Sequence, residues 1–576
     1  MNLKYTVRKF KGIITIKNVS YSLLLLNVFC FVSGILYIAI PKYLLLWDVF
    51  GVILTITLFE NLLLVYLNLL KVNKQSKLGH RLYITCYFFL VFTILAMFGM
   101  MQGNLLSSGV ISSGFLGGYA LTHLCYFGIL SFGIFLVLVD IITRGNQEIW
   151  GVENRGAIRK FIKTERVKRI FGKIIVTFAW IGFIFGAFCA FITVFGVFEF
   201  VTTQIAYISS QYGTFLSFIF LSNMIILLRL KRGKWDRKKF RRVALVGIFI
   251  STALLSPLFM TNITAINAEA NFSEAFGQNW QQEIPLEMND YFLQTSFSTA
   301  GYYLGTPPKD CNIIENVLFY DNESIKLYFD AYMPLERGEG LPGQNSTLIR
   351  IHGGGWVSGD KGESNMVQMN KYFAAQGYIV FDIQYGLYDS PIAVMDFITP
   401  SYNKGDFNID DMIRHIGEFT KYLTENAAIY GANLDSVFIS GGSSGGHLAS
   451  AAGLAIASEN YSHLFSQNLT IKGLIPFYPS NGQMVHFGID GMEEFTNPAK
   501  LIEPGSPPCL IFQGTHDVLT YFGISNDFRD TYLANGNTNC AIIWMLLGGH
   551  TSDFYFSGYY NQIFLYFMER FMYLHL

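Results

Sequence analysis

The stretch FISGGSSGGHLAS, Phe438 to Ser450, carries two serines at a spacing that suits a nucleophile. The pattern Gly-x-Ser-x-Gly fits it twice. Gly441-Gly442-Ser443-Ser444-Gly445 centres on Ser443, and Gly442-Ser443-Ser444-Gly445-Gly446 centres on Ser444. Small residues two places either side of a serine let a strand turn sharply into a helix and leave the hydroxyl exposed. The same letters also suit a Gly/Ser-rich turn with no chemistry, so the rest of the chain has to decide. Three further segments bear on it. RIHGGGW, Arg350 to Trp356, ends an apolar run in three glycines, whose backbone N–H groups can approach a ligand closely. QGTHDVLT places Asp517 just past an apolar run, and LLGGHTSDF places His550 just past the next. Serine, aspartate and histidine together suit nucleophilic attack with a general base held by a carboxylate.

These residues need elements to carry them. KLYFDAYMP, STLIRIHGG, YIVFDIQY, SVFISGG, KGLIPFYP, CLIFQGT and AIIWMLLGG read as strands, rich in β-branched and aromatic residues and ending in Gly, Pro or polar groups. DDMIRHIGEFTKYLTENAAIYG and HLASAAGLA read as helices between them. Alternating strands and helices imply an α/β domain with a mostly parallel sheet covered on both faces. Ligands of such sheets bind beyond the carboxyl ends of the strands, where all four segments fall.

With these motifs, residues from about 310 to 576 resemble the α/β-hydrolase fold, and most closely the esterase and lipase branch related to hormone-sensitive lipase and bacterial carboxylesterases. That branch carries an HGGG loop and a Gly-Asp-Ser-Ala-Gly-Gly elbow. The matching residues are His352-Gly353-Gly354-Gly355 and Gly441-Gly442-Ser443-Ser444-Gly445-Gly446. The resemblance covers under half of the chain. It implies Ser443 as nucleophile, with Ser444 as runner-up, and Asp517 and His550 as its partners. It implies an oxyanion hole from Gly354, Gly355 and Ser444, with His352 and Gly353 supporting the loop. Gly442 departs from the family, which has an acidic residue there. His516, beside Asp517, is disfavoured as the base because adjacent residues at a strand end point apart. The implied activity is carboxylic ester hydrolysis of a small-molecule or lipid-like ester, with no metal or cofactor and no nucleic acid. Two other readings accompany it: acyl transfer to a glycan or lipid hydroxyl, and an inactive receptor or adhesion module. Nothing in the sequence names a protein partner.

The first half of the chain is different. A formal net charge of +0 over 576 residues conceals a division. Residues 1–263 hold about 28 Lys and Arg against about 8 Asp and Glu, leaving the acidic excess to the remainder. About seven apolar runs are long enough to span a bilayer: 21–40, 43–70, 83–102, 119–142, 174–198, 207–230 and 243–262. Basic clusters precede the first run and follow the second, fourth and sixth, the last being KRGKWDRKKFRR. Because basic loops stay cytoplasmic, this predicts a multi-pass protein in the lipid bilayer, with a cytoplasmic N-terminus and an extracytoplasmic hydrolase domain. The expected division is 1–263 transmembrane, 264–309 linker and 310–576 hydrolase. Glu60, Asn61, His123 and Asp140 are polar within the spans, Asp140 near an end and expected at the interface. Residues 154–174 read as a basic amphipathic helix or a solvated loop, and Gly386 to Tyr402 as a lid or packed loop. Of the seven cysteines, the three in the second half leave room for one disulfide.

Overall fold

A computed structural model describes residues 16–40, 45–72, 76–109, 115–149, 165–196, 200–362, 366–390 and 399–576. Residues 1–15, most of the segment 154–174 and the centre of the expected lid, 391–398, lie outside these. The first half is helical: α1 Ile16–Ala39, α2 Leu45–Lys71, α3 Lys77–Ser107, α4 Phe115–Ile149, α5 Glu165–Phe195, α6 Phe200–Gln211, α7 Gly213–Lys231, α8 Arg237–Leu254 and α9 Ser256–Phe276. Seven helical stretches among the described residues are long and apolar enough to cross a membrane. They coincide with the seven apolar runs of the sequence, the last combining α8 and α9.

Two boundaries differ from expectation. The run 207–230 is divided, because α6 stops at Gln211 and α7 starts at Gly213. Gly213 packs on the carbonyl of Leu254, and a Cβ there would collide with it. The expected linker from residue 264 is instead helical as far as Phe276. A proline at the start of α9 sets its beginning, and α9 then runs along the sheet edge, where Asn271 Nδ2 donates to Ile542 O at 2.9 Å. An exposed strand edge invites pairing with other chains, and a covering helix removes that hazard.

Asp140 is fully buried among the helices. Its carboxylate accepts from Ser20 Oγ at 2.6 Å and from Arg144 Nε at 2.9 Å, while Arg144 also donates to Asn68 Oδ1 at 2.6 Å. Asn61 exchanges two hydrogen bonds with Asn27, at 2.9 and 3.1 Å. Polar groups away from water need such partners, so these tie α1, α2 and α4 together.

The second half begins with a short helix, α10 Thr299–Leu304, and continues through β1 Asn312–Asp321, β2 Lys326–Met333, β3 Ser346–Ile351, α11 Val367–Ala375, β4 Ile379–Ile383, the two-residue β5 Leu387–Tyr388 and β6 Lys404–Gly405, α12 Ile409–Tyr430, β7 Asn433–Gly442, α13 Ser444–Ala457, β8 Ile471–Phe477, β9 Cys509–Gly514, α14 Phe522–Ala534, β10 Cys540–Met545 and α15 Tyr559–Leu574. The main sheet has the order β1-β2-β4-β3-β7-β8-β9-β10. The pairs β1–β2 and β2–β4 are antiparallel and all later pairs are parallel. β1 is the strand that the sequence pattern conceals. Irregularities between Ile314 and Val317 and between Leu318 and Tyr320 break its alternation. All seven cysteines are free.

The two halves share a core. One apolar cluster runs from Tyr212 and Phe215 through Tyr302, Tyr303, Tyr555 and Tyr559 to Leu348, Val380, Phe438 and Leu510 on one face of the sheet. A second fills the other face under α12 and α13. The second half meets the start of α2 (Gly51 against Thr299 and Ala300), the end of α3 (Ser108 Oγ accepting from Phe556 N, 2.9 Å) and the start of α7 (Thr214 with Tyr559, 3.3 Å). These are the helix ends opposite the connection KRGKWDRKKFRR. α15 is anchored by Glu569, whose buried carboxylate accepts from Tyr372 Oη (2.6 Å), Gln376 Nε2 (2.9 Å), Leu293 N (2.7 Å) and Arg570 (2.7 Å). Removing one partner of a buried charge network strands the others. Glu569→Ala should therefore cost about 3 kcal/mol of stability, read as a lower unfolding midpoint.

Candidate active site

Ser443 lies between the end of β7 and the first turn of α13, at φ 57° and ψ −120°. A side chain rarely adopts this backbone, so the surroundings must hold it there. Ser443 N donates to Phe477 O at 2.9 Å, and Ser443 O accepts from His447 N at 3.0 Å. Gly445 permits the turn by close approach: a Cβ on it would sit 2.5 Å from His352 O and closer still to Ile351 O. The strand, the turn and the helix are thus locked against β3.

The Ser443 hydroxyl meets His550 Nε2 at 3.1 Å. His550 Nδ1 meets Asp517 Oδ2 at 2.8 Å. A proton on Nδ1, donated to the carboxylate, leaves the Nε2 lone pair facing the serine. Asp517 is itself fixed by Leu519 N and Thr520 N on Oδ1, at 3.0 and 2.9 Å, and by Thr520 Oγ1 on Oδ2, at 2.6 Å. Ser444 points elsewhere. Its side chain is fully buried, 3.5 Å from Tyr385 Oη. Its place as the first residue of α13 means that its N–H has no partner within the helix.

The glycine loop lies against the elbow. A Cβ on Gly353 would be 2.7 Å from Gly442 O and 3.5 Å from Ser443 Cβ. Gly354 has φ 125° and Gly355 φ 64°. Gly354 requires glycine, because a Cβ there would collide with Ser358 O; its own carbonyl accepts from Ser358 N (3.1 Å) and Ser358 Oγ (2.9 Å). His352 braces the loop: its ring stacks on Tyr385 at 4.5 Å, its Nδ1 donates to Gly353 O at 2.9 Å, and its carbonyl accepts from Tyr385 Oη at 3.1 Å. A second brace runs through His447, which accepts from Trp356 Nε1 at 3.2 Å and donates from Nε2 to Phe495 O at 2.7 Å. Burial pushes both histidines down to about 4, so they remain neutral. His516 faces away from the serine: its ring packs on Gly196 beyond α5, and burial lowers its pKa.

Three neighbours carry no motif. Ser480 Oγ is 3.3 Å from Ser443 Oγ. The Tyr478 ring packs 4.5 Å from the His550 ring, and its hydroxyl donates to Asp553 Oδ1 at 2.8 Å. Burial raises Asp553 to about 6. Tyr478 also accounts for the departure at Gly442, since a Cβ there would lie 3.1 Å from its hydroxyl. The signal for Thr520 was present in the Asp-x-x-Thr spacing of a turn, whereas nothing local marks Ser480 or Tyr478. Among the described residues, no group of three His, Cys, Asp or Glu side chains is placed to share a metal ion.

The buried neutral histidines set an acid limit. Their folded pKa lies below the unfolded value of about 6.5, so the unfolded chain takes up protons first as pH falls. Their contribution is complete above about pH 6.5 and is lost toward pH 4. Unfolding midpoints measured across that window should show a shallower acid decline in His447→Gln than in wild type.

A family model described as BD-FAE matches residues 329–487, from β2 past β8, and includes the glycine loop and the elbow. No curated protein matches the chain. Among solved structures, esterase B from Lactobacillus rhamnosis with a tributyrin phosphonate is 22% identical, with 43% of this chain and 80% of that one covered and a TM-score of 0.35. Apo esterase 2 from Thermogutta terrifontis is 19% identical, with 46% and 91% covered and a TM-score of 0.34. The chain thus carries an esterase-like α/β-hydrolase domain behind seven helices long and apolar enough to cross a membrane.

Proposed function

We propose that the protein is a membrane-integral serine hydrolase of carboxylic esters, in the manner of the hormone-sensitive-lipase and carboxylesterase branch. The observation that carries this reading is the relay from Ser443 Oγ to His550 Nε2 (3.1 Å) and from His550 Nδ1 to Asp517 (2.8 Å). His550 takes the hydroxyl proton as Ser443 Oγ bonds to the ester carbonyl carbon. Negative charge moves to the carbonyl oxygen, which the N–H groups of Gly354, Gly355 and Ser444 receive; each such donor is worth about 3 kcal/mol in the transition state. The carbon–oxygen bond to the alcohol breaks, and His550 returns the proton to the leaving oxygen. Water, deprotonated by His550, then releases the acyl group. Asp517 holds the imidazole tautomer and stabilises its charged form.

The site abuts α6, with Ala206 facing Gly549, which places it at one end of the apolar bundle. That position favours a lipid-like ester among substrates, and it supports acyl transfer to a membrane-surface hydroxyl as the second reading. An inactive module would have no need of the relay. Because the connection KRGKWDRKKFRR lies at the other end of the bundle, the positive-inside rule gives a cytoplasmic N-terminus and an extracytoplasmic active site.

Turnover of short and long aryl esters by the full chain tests this, together with labelling by a fluorophosphonate. Ser443→Ala should abolish both. Ser444→Ala should keep labelling, since its hydroxyl is buried away from His550. Asp517→Asn should lower kcat by about 10⁴. A wild type that neither labels nor turns over any ester, with or without an acceptor alcohol, would sink the reading.

A further inference from the structure

The loop that carries His550 is held from outside the hydrolase sheet. Gln211, the last residue of α6, is buried at the break before α7. Its Nε2 donates to Thr551 O at 3.0 Å, and its Oε1 accepts from Tyr555 N at 2.7 Å. Its backbone carbonyl accepts from Tyr302 Oη at 2.9 Å. One side chain thus binds both arms of the loop directly after the histidine. Thr551 sits at φ 53°, a conformation that a non-glycine residue keeps only where its surroundings impose it. α6 makes two further contacts here. A Cβ on Gly549 would lie 3.6 Å from Ala206 Cβ, and the Tyr207 ring lies 6.3 Å from the His550 ring. At 12 residues, α6 is about 18 Å long, well short of the roughly 30 Å of a bilayer core.

We infer that Gln211 is a positioning residue for the reaction, through which the apolar bundle sets the placement of His550 against Ser443. The inference rests on the ester-hydrolase reading above. Within the second half, Asp517 fixes Nδ1, the Tyr478 ring limits the imidazole face while its hydroxyl holds Asp553, and Phe554 N closes a turn on Thr551 O at 3.2 Å. Gln211 adds a donor and an acceptor on the two arms of this turn from outside the sheet. The docking of α6 therefore adds to the restraints on the loop that carries His550.

The test uses the full chain with a short aryl ester, reading kcat, KM, the rate of fluorophosphonate labelling and the unfolding midpoint. Gln211→Ala should lower kcat and labelling about 10- to 100-fold, with KM within about twofold of wild type. Gln211→Met preserves length but removes both the donor to Thr551 O and the acceptor for Tyr555 N–H, and should lower kcat to the same extent with KM held, a split that a purely structural role would not produce. Ile208→Ala, on the exposed face of the same helix, should behave as wild type. Losses in kcat that only track the unfolded fraction would overturn the inference. So would an active wild type whose two Gln211 variants keep its kcat; that result would leave the hydrolase reading standing. A wild type that neither hydrolyses nor labels overturns both.

Discussion

A seam of stacked rings joins the two halves of this protein, and the placement of everything else follows from it. Phe215 stacks on Tyr302 at 5.1 Å, Tyr302 on Tyr559 at 4.6 Å, and Tyr212 on Tyr555 at 4.9 Å. Aromatic side chains suit such a junction because each buries a large apolar face and still carries a polar handle. Buried hydroxyls are costly unless they are bonded. Here Tyr302 donates to Gln211 O and meets Tyr559 Oη at 3.1 Å, Tyr559 meets Thr214, and Tyr555 donates to Tyr302 O. The seam thus joins the bundle to the hydrolase half by packing and by directional bonds at once.

This junction makes the bundle more than a tether. Two units joined by a flexible linker keep their structures independent of each other. Here α10 is inserted among the helix ends, where His123 Nε2 bonds Leu304 O at 3.1 Å and Asn104 Nδ2 reaches Tyr303 O at 3.4 Å. α9 covers the sheet edge, and α6 reaches the loop of His550. His123, a polar residue in an apolar run, thus plays a structural part by satisfying a carbonyl at the mouth of the bundle.

The elbow obeys a separate, local constraint. Ser443 is strained because β3, β7 and α13 approach too closely for any side chain at Gly445. Tight packing there sets the turn, which holds the Ser443 hydroxyl toward His550 while Ser444 is buried within the helix. Two histidines outside the relay, His352 and His447, hold the glycine loop and Trp356 to this turn from either side.

Local patterns made much of this legible in the sequence. Apolar length located the seven long apolar helices, because a bilayer demands about 20 consecutive apolar residues. Period and punctuation located seven of the eight strands of the main sheet; β1 escaped because its irregularities break the alternation. The two overlapping elbow patterns remained equivalent by spacing alone. Only the backbone of the folded turn separates them, placing one hydroxyl on His550 and burying the other. In the same way, His516 and His550 both follow strands, and tertiary packing turns the first toward α5 and the second toward Ser443. The contacts of Gln211 with Thr551 and Tyr555 join residues 340 and 344 positions apart. No periodicity or motif encodes such a pairing, because it arises from how two separately legible halves dock. The elements and the chemical groups were thus readable from the chain alone. Which groups meet was settled by the fold, because that depends on closing the chain over distances no local pattern spans.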